Sequence, residues 1–333
     1  MLGSHRGQEI YLFFYRFGVN GIYGIILCNF IMSYIIYKTL KIILKNDITT
    51  YKGFLNIIIP ISKRKYLNLN FILNIIINIF LLGTFFIMIS GFGAYFNQEF
   101  GIAKIIGSTI LASICYFVFL GNIEKIAKIN SVVIPILILI VTIVGVKNLL
   151  EIDIAQIGYN TKVNTSLFWV IQSIVYSSYN SLLLIPVLIS IRKFVKNNKQ
   201  ILFISIITGI IISIISSLIF FLLINVKIDF KNLEMPIVYV IANKFNKISR
   251  IYGATILIAI FTTAISIGIS FLNNICKNNR NFPQIAIIMC ITSIVICNIG
   301  FSNLVKTLFP MFGYLGLIQI YFIIKYYKNL KWV

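Results

Sequence analysis

The chain has 333 residues, of which 59% are hydrophobic and only 11% charged, and its formal net charge is +21. Soluble domains carry about 25% charged residues, so this composition excludes a protein covered by water and makes lipid the solvent. The basic surplus then reads as loops that fix membrane topology, not as a nucleic-acid interface, because no basic run carries interleaved aromatics or a soluble module.

The N-terminus opens on GQEIYLFFYRFG, Gly7 to Gly18, which reads as half a span. Nine complete apolar runs follow, at about 19–44, 69–96, 102–120, 128–147, 166–190, 201–225, 251–272, 282–299 and 302–324, each close to the 17–25 residues that cross a bilayer as a helix. The expected fold is all-α: one polytopic membrane domain over residues 1–333, with about ten transmembrane helices, the first one partial. The single histidine, His5, excludes a multi-histidine metal site. The five cysteines form no C-x-x-C pair and read as small buried hydrophobes.

Strict alternation of sides can be tested with charge. If the stretch after the second span faces the cytoplasm, the inner side collects eighteen Lys/Arg against two acids, Asp47 and Glu124. The outer side collects ten against five acids. That bias has the positive-inside sign. It predicts a multi-pass protein of the cell membrane with a cytoplasmic C-terminus.

Spacing also predicts an internal repeat. A long linker with a short amphipathic stretch, Tyr51 to Ile59, follows the second span; another, holding MPIVYVIANKFNKI, follows the seventh. The third and eighth spans, and the fourth and ninth, begin at an offset of roughly 180 residues. Two units of five spans fit, repeat A at 1–150 and repeat B at 160–328. Five is odd, so the second unit sits inverted, an architecture common among secondary transporters.

In such a fold the first helix of each repeat is broken near mid-membrane, and the freed backbone binds substrate and ions. Two stretches fit. One is LGSHRGQE, in which Gly3, Ser4 and Gly7 are expected to face substrate; the other is YSSYN, where Tyr176, Ser177, Ser178, Tyr179 and Asn180 form a polar row inside a span that also holds Pro186. Such a row is costly in lipid unless it lines a cavity or bonds to neighbouring helices. In the eighth span FTTAIS places Thr262, Thr263 and Ser266 at helical spacing. Their hydroxyls suit a small hard cation, and Na⁺ as coupling ion is the expectation; the alternative is that they bond back to their own helix. Glu9 falls in the first turn of the opening half-helix, as a dipole-favoured cap or as a proton or ligand site. Arg6 is a candidate fixed charge in place of a bound cation. GFGAYF, Gly91 to Phe96, is expected to let helices approach closely.

Residues Gly3 to Gly18, GSHRGQEIYLFFYRFG, resemble the opening of the bacterial YkvI-like membrane proteins, which typically read GAGFASGQEIxxFFxxxG. SGFGAYFNQEFGI at Ser90 to Ile102, VYSSYN at Val175 to Asn180 and FTTAIS are similar to further stretches of that family. The resemblance implies the amino acid–polyamine–organocation superfamily and a LeuT-type five-plus-five fold. It also implies alternating access around a site formed by spans one, three, six and eight. Where the family reads FAS this chain has Ser4, His5 and Arg6. Where the family has a half-helix ahead of the glycine motif, Met1 stands almost at the motif, so a late-called start or a shortened chain is expected.

The expected function is cation-coupled transport of a small organic solute, an amino acid or an amine, with no cofactor beyond Na⁺. The rival readings are a ligand-sensing membrane subunit of the same fold, as in spore germinant receptors, and an inactive shortened paralogue. No phosphate loop, His or Cys constellation or paired intramembrane carboxylates point to an enzyme.

Overall fold

The computed structural model describes residues 6–59, 67–121, 126–150, 167–225, 233–276 and 281–329. Among them there is helix and no strand. The helices are α1 (Arg6–Phe13), α2 (Asn20–Lys45), α3 (Tyr51–Ile58), α4 (Leu67–Phe100), α5 (Lys104–Leu120), α6 (Ile126–Leu150), α7 (Phe168–Ile191), α8 (Asn198–Ile224), α9 (Pro236–Lys244), α10 (Asn246–Ile275), α11 (Phe282–Ile296) and α12 (Phe301–Asn329). Eight of them are long and apolar enough to cross a bilayer, and the apolar α5 adds a shorter ninth of 17 residues. At 1.5 Å per residue α5 still reaches about 25 Å. The protein is an all-α multi-pass membrane protein. Large apolar side chains stand exposed along these helices, Phe30, Phe117, Ile210 and Ile288 among them, as lipid contact requires and water does not favour.

Turns between helices depend on glycine at Gly18, Gly101 and Gly300. Gly18, after a 3₁₀ turn at Tyr15–Phe17, has φ +56°, and Gly300, between α11 and α12, has φ +90°. All three lie where an L side chain is strained.

The chain divides into two compact units. Unit 1 comprises Met1–Val19, Asn78–Val163 and Ile215–Leu308. Its core holds Ile10, Phe13, Phe14 and Phe17 from the start of the chain, with Phe85, Phe220, Phe301 and Ile260. Small residues set helix spacing. A Cβ on Gly93 of α4 would sit 2.4 Å from the Lys104 carbonyl oxygen of α5, and one on Gly107 would sit 3.0 Å from the Gly93 Cα. The glycine patch Gly91–Phe96 therefore serves close approach, as its composition predicts.

Unit 2 comprises Asn20–Ile77, Asn164–Ile214 and Phe309–Val333. Here α2 and α7 run parallel. Near their N-terminal ends Ser173 Oγ donates to the Gly24 carbonyl at 3.0 Å and Tyr23 meets Trp169, while beyond their C-terminal ends Arg192 pairs with Asp47. The C-terminal part of α12 ends beside them, with Tyr326 Oη donating to Asn46 Oδ1 at 3.2 Å and the Lys38 ammonium 3.3 Å from the Tyr327 ring centroid. All three helices thus leave the unit at one end.

The expected break in the sixth span is absent. α7 continues through Tyr176–Asn180, and Pro186 also lies inside it. The serines and the asparagine of this stretch are satisfied without unwinding: Ser177 and Ser178 donate to the Ile174 carbonyl at 2.9 and 2.7 Å, Asn180 to Tyr176 at 2.9 Å, and Ser181 to Ser178 at 2.7 Å. Back-bonding of this kind lowers the desolvation cost of these four side chains.

Candidate functional site

Within unit 1 a polar layer gathers at the helix ends. Gln98, near the end of α4, accepts from the Met235 amide and donates to the Met235 carbonyl, both at 3.1 Å, and so fixes the chain entering α9. One residue earlier, Glu234 is shared between two partners. Its Oε1 takes the Lys104 ammonium at 2.6 Å, at the start of α5, and its Oε2 takes the Ser302 amide at 2.7 Å, in the first turn of α12. A carboxylate at a helix N-terminus satisfies an orphan amide and meets the positive end of the dipole. Gly300 leaves room for it, since a Cβ there would lie 2.9 Å from Glu234 Oε1.

α1 reaches the same layer. Gln8 Nε2 donates to Ser302 Oγ at 2.7 Å. Gln8 is 1% exposed, and its Oε1 accepts no hydrogen bond among the described residues. Glu9, in the first turn of the same helix, is also 1% exposed. A carboxylate and an amide oxygen are thus adjacent in sequence and buried in an apolar unit, on a helix of eight residues. An acceptor buried without a donor costs about 1–3 kcal/mol. Consecutive helix positions face different ways, so each oxygen is a separate acceptor of the kind a proton, a small cation or an ammonium group needs.

The other residues singled out in the sequence fall as follows. Gly3 and Ser4 lie outside the described residues, as does the Arg6 side chain. Gly7 packs on α9: a Cβ there would be 2.3 Å from Ile237 Cγ1, so it serves helix approach where a substrate contact was expected. Thr262 is buried and its hydroxyl donates to the carbonyls of Ile258 and Ala259 at 3.0 and 3.2 Å, leaving its lone pairs turned away from those bonds. Thr263 is half-buried, whereas Ser266 is exposed and donates to the Thr262 carbonyl at 2.8 Å. α10 therefore turns Thr262 and Ser266 to different environments.

In unit 2, Tyr179 stacks on Phe309 with ring centroids 4.8 Å apart and meets Tyr176 edge-on at 5.4 Å. Ser178 backs onto α12, where a Cβ on Gly316 would sit 2.5 Å from its carbonyl oxygen. On Gly313 a Cβ would be 2.4 Å from Val175 Cγ1. The serine row is thus a seam of small residues through which α7 and α12 approach.

Residues that sequence reasoning passed over are Gln8, Gln98, Lys104, Glu234 and Ser302. The place of Glu234 before Met235-Pro236 suggests a cap for α9, but the α9 N-cap Met235 makes no side-chain bond and Glu234 caps α12 instead. Its partners, from α5 and α12, carried no signal.

No protein-family model matches the chain. Two relatives from Bacillus subtilis (strain 168) are similar to it over nearly its full length. The uncharacterized membrane protein YkvI is 25% identical over 324 residues, covering 95% of this chain and 89% of the relative. The uncharacterized protein YyaD is 25% identical over 338 residues, covering 99% of this chain and 94% of the relative.

Proposed function

We propose that this membrane protein is a cation-coupled secondary transporter of a small organic solute, an amino acid or an amine. The observation that carries the reading is the burial of Glu9 beside Gln8 in the first turn of α1. Ionisable groups inside membrane spans are expensive, and they mark ion, proton or substrate paths. In this reading Glu9 takes the coupling cation or proton, and the Gln8 amide oxygen accepts from the solute ammonium or from a water on it. Of the α10 hydroxyls, Thr262 is the one assigned to a bound Na⁺, because it is buried whereas Ser266 is exposed. The similarity to YkvI agrees with a membrane protein, and the order of long and short helices supports a repeat of five. Charge bias supports a cytoplasmic C-terminus.

The test is thermal stability of the purified protein against Na⁺, pH and a panel of amino acids and amines. A ligand that binds the folded state raises the midpoint by mass action, by about 2.7 kcal/mol at a hundredfold excess over its Kd. The expected result is a shift with one solute class that grows with Na⁺ or with proton concentration and is lost in Glu9→Gln. A solute shift of equal size in Glu9→Gln would remove Glu9 from the site, and no shift with any solute would remove the transport reading.

A further inference from the structure

Unit 2 carries a cavity that the transport reading does not use. Its volume is about 520 Å³, within the range of sites for small ligands. Thr49 and Tyr51 line it from the start of α3, Ser190 from the last turn of α7, and Arg192 and Lys193 from the 3₁₀ turn that follows. Pro186 and Ile189 supply an apolar wall.

The polar lining is biased toward one ligand charge. Arg192, whose side chain is 19% exposed, pairs with Asp47, whose side chain is 89% exposed; the carboxylate is the solvated partner, so an incoming anion can take its place on the guanidinium. Lys193 is exposed, with no carboxylate in ion-pair reach among the described residues. Tyr51 Oη accepts from Gln319 Nε2 at 2.6 Å, which leaves its own proton to donate. Burial raises that phenol well above its ordinary value, against the opposing effect of the Gln319 bond, so the proton is present at any physiological pH.

The surroundings identify the source of such an anion. Ten Lys/Arg of the described residues belong to unit 2, against the one acid Asp47. They stand at the ends of α2, α7 and α12, in α3 and at the start of α8, with Tyr34, Tyr37, Tyr321 and Tyr327 against the ammoniums of Lys38, Lys41 and Lys325. Lysines and tyrosines in this mixture mark a membrane–water interface. Phe194, next to Lys193, is 79% exposed and fits the acyl side of that boundary. We propose that the Arg192–Lys193 cavity binds a phosphate-bearing anion, delivered as the headgroup of an anionic phospholipid, with the two cations and the hydroxyls of Tyr51 and Thr49 on the phosphate. Basic pockets between transmembrane helices are suited to this chemistry.

The experiment uses the full chain in phosphatidylcholine nanodiscs with and without phosphatidylglycerol, with native mass spectrometry to count retained lipid. A second arm titrates inorganic phosphate into the phosphatidylcholine discs and reads the melting temperature. The wild type is expected to retain phosphatidylglycerol over phosphatidylcholine. Arg192→Gln with Lys193→Gln lowers that retention about fivefold per cation removed. Asp47→Asn, which releases Arg192 and tolerates the left-handed backbone at φ +45°, raises it. A response to inorganic phosphate that is lost in the double variant, without lipid selectivity, keeps the anion site and makes a soluble phosphate its source. Equal retention in the double variant, or no response in either arm, overturns the proposal. The opposite sign expected for Asp47→Asn separates loss of binding from loss of fold.

Discussion

The polar end of unit 1 and the basic end of unit 2 handle charge in opposite ways. In unit 1, Glu234 is divided between an ammonium and a helix amide, and Gln98 and Gln8 complete the layer. Each polar group there fixes the start or end of a helix. In unit 2, cations far outnumber the one described carboxylate, and several rest on aromatic faces instead. Lys38 lies over Tyr327 and Tyr34, and Lys41 over Tyr37. A cation held by a ring quadrupole keeps its full charge. At the polar end of unit 1 a paired carboxylate builds the fold, while at the basic end of unit 2 an excess of cations over carboxylates offers a surface to an anionic partner. The interior of unit 2 is then held by close helix packing, with the Gly313 and Gly316 face of α12 against α7.

If that contrast is right, the largest loss follows from Glu234→Ala. It removes two charge-assisted bonds, leaves Lys104 without its carboxylate and uncaps α12, and should cost about 3 kcal/mol, read as a fall in melting temperature. Gly316→Ala comes next, at about 2 kcal/mol by the same melt, because the added methyl meets the Ser178 backbone, which cannot turn aside. Asp47→Asn should cost less than Glu234→Ala, about 1 kcal/mol, since the Asp47 carboxylate itself stands in water. A larger cost for Asp47→Asn than for Glu234→Ala would reverse the comparison. The smallest effect belongs to Ser178→Ala. Its hydroxyl serves only its own helix, so stability should move by less than about 0.5 kcal/mol and solute-induced stabilisation should be unchanged. Loss of that stabilisation would return the serine row to the binding site.

Much of the fold was legible. Charges and turn residues bracket each apolar run, so the span expected at 19–44 is α2 at Asn20–Lys45 and the amphipathic stretch at Tyr51–Ile59 is α3 at Tyr51–Ile58. Burial of Glu9 was legible too, because an acid one turn into an apolar half-span has few other places to go. The serine row was not. Ser177 and Ser178 read alike whether they line a cavity or a seam, and what decides is Gly313 and Gly316, on a helix far along the chain with no spacing rule to link them. Glu234 was legible only as a loop acid, because its partners Lys104 and Ser302 come from helices that only the tertiary fold brings together.

The central claim, that Glu9 couples a cation to solute movement, is tested most directly by counterflow in proteoliposomes. The wild type and Glu9→Gln are loaded with the solute that gives the largest thermal shift, and labelled solute uptake is followed with and without a Na⁺ or pH gradient. The account predicts gradient-driven accumulation in the wild type and its loss in Glu9→Gln, with exchange of solute retained at reduced rate. Accumulation of equal size in both proteins, or wild-type uptake indifferent to either gradient, would contradict it.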